Sequence, residues 1–184
     1  MTQTQLNMLT KWTFWATFLI ASYIMLCYYL TSESKYFSAG LWFILIAFIV
    51  NIVAIIVISY HTSKNENLGI PKFSGILFLN IPVAFFYVWL AMWLNSYYRI
   101  TVVNDTSKSI QHVHIMGCEK GETNVLDPGE SETFWIKISS DCRGIISYKD
   151  DHNNYHSDII VGYLTNGMGQ VDEYHISGKN NPRY

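Results

Sequence analysis

The string His112-Val113-His114-Ile115-Met116-Gly117-Cys118 gathers the side chains of this sequence best suited to chemistry. Side chains alternate across a strand, so His112, His114, Met116 and Cys118 fall on one face. Imidazole, thioether and thiolate donors together suit copper. Asp150, Asp151, His152 and His156 offer further donors from a neighbouring loop. A plainer reading competes. Val113 and Ile115 claim the core face of the same strand, which leaves the histidines as polar surface. A Cys118 paired with Cys142 is no ligand at all.

The Asp150–His156 segment also concentrates acids and imidazoles, the groups of general acid–base chemistry. Adjacent carboxylates do such work only where their surroundings separate their pKa values, and in a polar loop they serve as solvated turn formers. The chain has no Gly-x-Ser-x-Gly elbow, no phosphate-cradling glycine loop and no Cys-x-x-Cys. The expectation is a protein that is not an enzyme and holds no cofactor. His61 and His175 stand alone and are given no role. Asn104-Asp105-Thr106 matches a glycosylation sequon but reads better as a turn after a strand.

These residues sit on a chain of two dissimilar halves. Residues 12–30, 40–60 and 75–96 are apolar runs without Asp, Glu, Lys, Arg or His. At ~1.5 Å per helical residue each is long enough for a ~30 Å hydrocarbon core. Trp12, Trp15, Tyr28, Tyr29, Trp42, Tyr60, Trp89, Trp93, Tyr97 and Tyr98 mark the run ends, where amphipathic rings prefer the headgroup level. The first run is too long for a secretory h-region and lacks an A-x-A site, so it reads as a retained signal anchor. Asn51 and Asn80 are uncharged polar groups that should face other helices. Pro82 should kink the third span. Without an ionisable residue in any span, transport has no proton or ion path to use.

From residue 99 the pattern alternates. Segments rich in Val, Ile, Thr, Tyr and Phe begin at Ile100, Ser109, Asn124, Glu132, Gly144, Ser157 and Gln170, with turn residues between them. Short strands at this spacing predict an antiparallel β-sandwich of immunoglobulin type. Phe134, Ile136 and Ile138 should face its core, with Trp135 and Lys137 outside. Asp127-Pro128-Gly129 should form a tight turn. The expected domains are 1–98 and 99–184, joined by a junction too short to be a flexible tether.

Residues 1–98 carry four lysines against two glutamates, a net charge of +2, and residues 99–184 carry eight basic against twelve acidic groups, a net of −4. No basic stripe forms, so nucleic acid is not an expected partner. With the N-terminus in the cytoplasm, Lys11, Lys64 and Lys72 lie inside, against Lys35 and Arg99 outside. The pair Cys118 and Cys142 points the same way, because disulfides persist outside the cytoplasm.

The sequence therefore leads to a multi-pass membrane protein that is not an enzyme. It presents an extracytoplasmic β-sandwich, periplasmic or extracellular, to a protein partner, and Trp135 and Tyr148 are the candidate exposed contacts. Two alternatives stand beside it. One is a copper-binding accessory protein using His112, His114 and Met116. The other is an immunity or assembly factor acting through its helices.

Overall fold

A computed structural model describes residues 1–64, 70, 74–179 and 181. Lys72 lies outside the described residues. The chain divides into two compact units, Met1–Ala91 and Met92–Tyr184, so the last turn of the third helix belongs to the second unit.

Helix α1 runs Gln3–Thr31 and α2 runs Ser34–Lys64. Thr2 begins α1 with a capping box: its hydroxyl accepts the Gln5 N–H, and the Gln5 side chain accepts the Thr2 N–H. Only Ser32 and Glu33 separate the two helices. The two-residue connection folds them into an antiparallel hairpin. Tyr28 packs on Phe37 at the closed end, with ring centroids 5.9 Å apart. Tyr28 is therefore buried against α2 rather than free to anchor at the headgroups.

A 3-10 turn over Ser74–Leu79 leads into α3, Asn80–Asn95. Pro82 does not kink a continuous helix. It stands in the first turn of α3, where its missing N–H would have no helical acceptor in any case, and the change from 3-10 to α winding falls just before it. Among the described residues, these three helical segments are each long and apolar enough to cross a membrane.

The second unit holds seven strands among the described residues: β1 Tyr97–Val103, β2 Ile110–Met116, β3 Gly121–Leu126, β4 Ser131–Lys137, β5 Cys142–Lys149, β6 Tyr155–Leu164 and β7 Gln170–His175. They form a three-stranded sheet, β4-β1-β7, and a four-stranded sheet, β3-β2-β5-β6. One hydrophobic core joins both, from Ile100, Val102 and Ile136 in the first sheet to Val113, Ile146 and Ile160 in the second. Phe134, Ile136 and Ile138 face that core, and Trp135 faces out. Tyr98 is also in the core, because β1 begins at Tyr97, earlier than the sequence pattern indicated.

Two points of topology depart from expectation. In immunoglobulin sheets the first strand pairs with the second, and the third with the sixth. Here β1 lies between β4 and β7, and β2 between β3 and β5. The pairing of β1 with β7 is parallel, from Tyr98 opposite Gln170 to Val103 opposite His175, so this sheet is mixed. The pairings follow strand parity: each antiparallel pair joins an odd-numbered to an even-numbered strand, and the parallel pair joins two odd-numbered ones.

Gly129 has a φ of 80°, the left-handed value that the Pro128-Gly129 turn needs. Gly169 is required for a different reason. A Cβ there would lie 2.8 Å from the Asn95 Cα, and the Gly169 N–H donates to the Asn95 carbonyl at 3.0 Å. The turn before β7 is thereby held against the end of α3.

Candidate functional site: the histidine strand, the Asp150 loop and two exposed aromatic surfaces

Strand β2 does not present His112, His114 and Met116 as an even row. His112 has a φ of 51°, and the register of β2 against β5 shifts between Gln111 and His114. This is a bulge, which re-aims the side chain it carries. The two imidazoles lie parallel with centroids 6.5 Å apart. His114 Nδ1 is 3.4 Å from the Glu122 carboxylate across the strand pair. Met116 is exposed. Cys118 is bonded to Cys142, with Cα atoms 5.4 Å apart, so the fourth donor of the copper set is occupied. Among the described residues, the group of three His, Cys, Asp or Glu side chains close enough to share an ion is Asp150, Asp151 and His152.

Those three stand in the β5–β6 loop, where the carboxylates already have work. Asp150 accepts the N–H groups of His152 and Asn154 at 2.9 and 2.8 Å, the Asn154 side chain at 3.0 Å, and lies 3.0 Å from His156 Nε2. The His156 contact, followed by the Asn154 bonds, holds its carboxyl well below the usual carboxylate range. Asp151 binds Lys108 Nζ, and this ion pair comes first in lowering its pKa. The cluster is a loop brace, with each acid spent on a backbone or cationic donor.

Trp135 and Tyr148 part company. Tyr148 is only 9% exposed because β5 turns Ile146 and Tyr148 inward together. Its ring stacks on His156 at 5.1 Å, and burial raises its phenol pKa. It is a core residue and not the exposed contact that the sequence pattern indicated. Trp135 is 38% exposed on the outer face of its sheet. It gathers Trp93 at 5.5 Å and Tyr97 at 6.0 Å, and the buried Arg99 places its guanidinium 5.3 Å from the ring. Arg99 and Trp135 are register partners, so β1 and β4 bring cation and indole together directly.

A second surface escaped the sequence reading. Strand β6 is ten residues long and lies at the edge of the four-stranded sheet, paired on one side with β5. Tyr155, Ile159 and Tyr163 stand exposed along it. Its acid, Asp158, accepts the Tyr174 hydroxyl at 3.0 Å. The strand has no Lys or Pro, the residues that commonly block edges. The absence of a blocker was visible in the sequence, but the segment read there began at Ser157, two residues late. Edge position is not legible without the strand order.

In the helical unit, Asn80 joins three elements. Its Nδ2 donates to Thr17 Oγ1 of α1 at 3.1 Å and to Asn51 Oδ1 of α2 at 3.0 Å. The Ser22 and Tyr87 hydroxyls meet at 2.7 Å.

No protein-family model and no curated protein matches the chain. A solved structure described as the NMR structure of the protein from Eubacterium rectale is similar to it at 13% identity. The match covers 44% of this chain and 77% of that one, with a TM-score of 0.36, too low to bear on fold or function.

Proposed function

We propose that this chain is an integral membrane protein, not an enzyme, whose β-rich unit binds another protein at the extracytoplasmic membrane surface. The helical unit supports the membrane half of this reading. Phe85, Trp42 and Phe48 are 73%, 68% and 60% exposed on helices that offer water no polar face. Lipid is the solvent that suits such surfaces, and each helix meets the length for a span. The Cys118–Cys142 bond favours an oxidising compartment for the β-rich unit, and three spans then leave the N-terminus in the cytoplasm.

Strand β6 carries the binding half. An exposed edge offers a row of backbone donors and acceptors, and a partner strand can pair with it while Tyr155, Ile159 and Tyr163 set specificity. A photoreactive residue in place of Tyr155, in the full chain in its native membranes, is expected to give one discrete protein adduct. Ile159→Lys should abolish that adduct without releasing the chain from the membrane at alkaline pH. An adduct that survives Ile159→Lys, or none at all, removes β6 from the reading. Release of the unaltered chain at alkaline pH removes the membrane half.

A further inference from the structure

We propose that Trp135, together with Trp93 and Tyr97, is seated in the lipid headgroup layer, so that this end of the β4-β1-β7 sheet contacts lipid and not a protein partner. The inference rests on the membrane half of the function proposed above and moves the protein-contact role away from Trp135.

The apolar helical segment Ser74–Asn95 has 22 residues. At ~2.0 Å per residue in its 3-10 turn and ~1.5 Å in α3 it extends roughly 36 Å, enough to cross the ~30 Å hydrocarbon thickness. A helix of that length reaches the boundary as it ends, and Trp93 lies in its last turn. The interfacial layer beyond the hydrocarbon is ~5–8 Å deep on each side. Trp135 belongs to β4, far along the chain, yet its ring centroid is 5.5 Å from that of Trp93 and 6.0 Å from that of Tyr97. A ring this close to Trp93 occupies the same layer whichever way the rest of the sheet extends.

The chemistry of the cluster fits the same place. Indole and phenol rings carry a polar group on an apolar body and concentrate at membrane–water boundaries. Trp93 and Trp135 are 40% and 38% exposed, an uncovered aromatic surface. Arg99 is 5% exposed and held against the Trp135 ring at 5.3 Å, so the cation fixes the indole rather than reaching for lipid itself. Lys137, exposed and two residues after Trp135, shares its face of β4 and lies opposite Tyr97 in the register. Its flexible ammonium can reach phosphate from beside the rings. The acid on the outward face of β7, Glu173, pairs with Thr101, farther along β1 from the helix end. Cation and aromatic groups therefore lie at the helix end, and the acid lies beyond them.

Depth-dependent quenching tests this in the full chain, reconstituted in phosphatidylcholine–phosphatidylglycerol nanodiscs. Proteins that retain Trp135, Trp93 or Trp42 as their sole tryptophan are compared. Headgroup nitroxide lipids should quench Trp135 and Trp93 to similar extents, and aqueous iodide should quench Trp135 several-fold less than a tryptophan placed at Tyr155. Headgroup-labelled lipid should also quench Trp42, which marks an end of the second apolar run. If Trp42 is quenched by lipid while Trp135 answers only to iodide, the seating is wrong and the membrane reading stands. If neither responds to lipid, both fail. Because five substitutions can disturb folding, benzoylphenylalanine in place of Trp135 in the otherwise unaltered chain gives a second measurement. A lipid adduct is expected, and an adduct to another protein overturns the proposal.

Discussion

Asn80 in the helical unit and Asn104 in the β-rich unit put the same side-chain amide to different uses. In the helical unit polar groups bond to one another across elements: Asn80 to Thr17 and Asn51, and Ser22 to Tyr87. In the β-rich unit polar groups also meet across elements, as Thr101 meets Thr133 and Tyr174 meets Asp158, but the one at the heart of its turns bonds to backbone. Asn104, wholly buried, donates to the carbonyls of Lys108 and Leu126 at 2.9 and 2.8 Å, and its Oδ1 accepts from Thr106. The difference follows from backbone accounting. A helix satisfies its own N–H and C=O groups, so its polar side chains remain available to staple neighbouring helices. A sheet leaves its turns unsatisfied, and buried side chains must complete them. This also disposes of the sequon, because the Asn104 amide is enclosed and already engaged.

Apolar groups differ between the units too, and that contrast gives the largest expected effect. Phe134 is 7% exposed in the β-rich core, and Phe85 is 73% exposed on α3. Phe134→Ala should cost about 3–5 kcal/mol of stability, the usual range for a buried phenylalanine. Phe85→Ala, which opens no cavity, should change the full chain in detergent by less than ~1 kcal/mol. Denaturant titration, following sheet and helix signals separately, measures both. Equal losses would erase the distinction between a core that faces inward and one that faces lipid.

The polar contrast predicts smaller shifts in the same assay. Asn104→Ala leaves the buried Leu126 carbonyl without its donor and should cost ~1–3 kcal/mol. Asn80→Leu removes a link between helices and should cost ~0.6 kcal/mol, because polar groups in the unfolded membrane state find other partners. A larger loss from Asn80→Leu than from Asn104→Ala would show that the staples, not the packing, hold the helices together.

The helices were legible in the sequence because each is a continuous apolar run, and run length is a local property. The strands were legible in number and approximate place from alternation, and so was the inward row Phe134, Ile136 and Ile138. Strand order was not. Which strand lies beside β1 depends on contacts between residues as distant as Tyr98 and Gln170, and no local pattern encodes that pairing. The fate of Tyr148 was hidden for a related reason. Aromatic alternation fixes which residues share a face, but the phase of β5 relative to the core is set by its neighbours. Trp135 was correctly read as outward-facing. Its companions Trp93 and Arg99 come from two other elements, α3 and β1, and only folding brings them to it.

Acid should separate the two units, with the smallest single-residue effect of the set. Asp150 is held below the usual carboxylate range by His156, Asn154 and two backbone N–H groups. For a depressed folded pKa, the stabilisation is complete above the unfolded value of ~3.9 and is lost as pH falls through the folded value. The β5–β6 loop should therefore loosen progressively below about pH 4, while helices α1, α2 and α3, which contain no Asp or Glu, keep their content. Asp150→Asn should lower stability near neutrality and flatten the acid limb, since the amide no longer titrates and cannot accept all the bonds of the carboxylate. Hydrogen exchange at the amides of His152 and Asn154, which Asp150 holds, reads the loop directly. If those amides lose protection equally with pH in Asp150→Asn and in the unaltered chain, the brace is not the carboxylate. If the helices unravel first in acid, the division of labour between the two units is wrong at its electrostatic root.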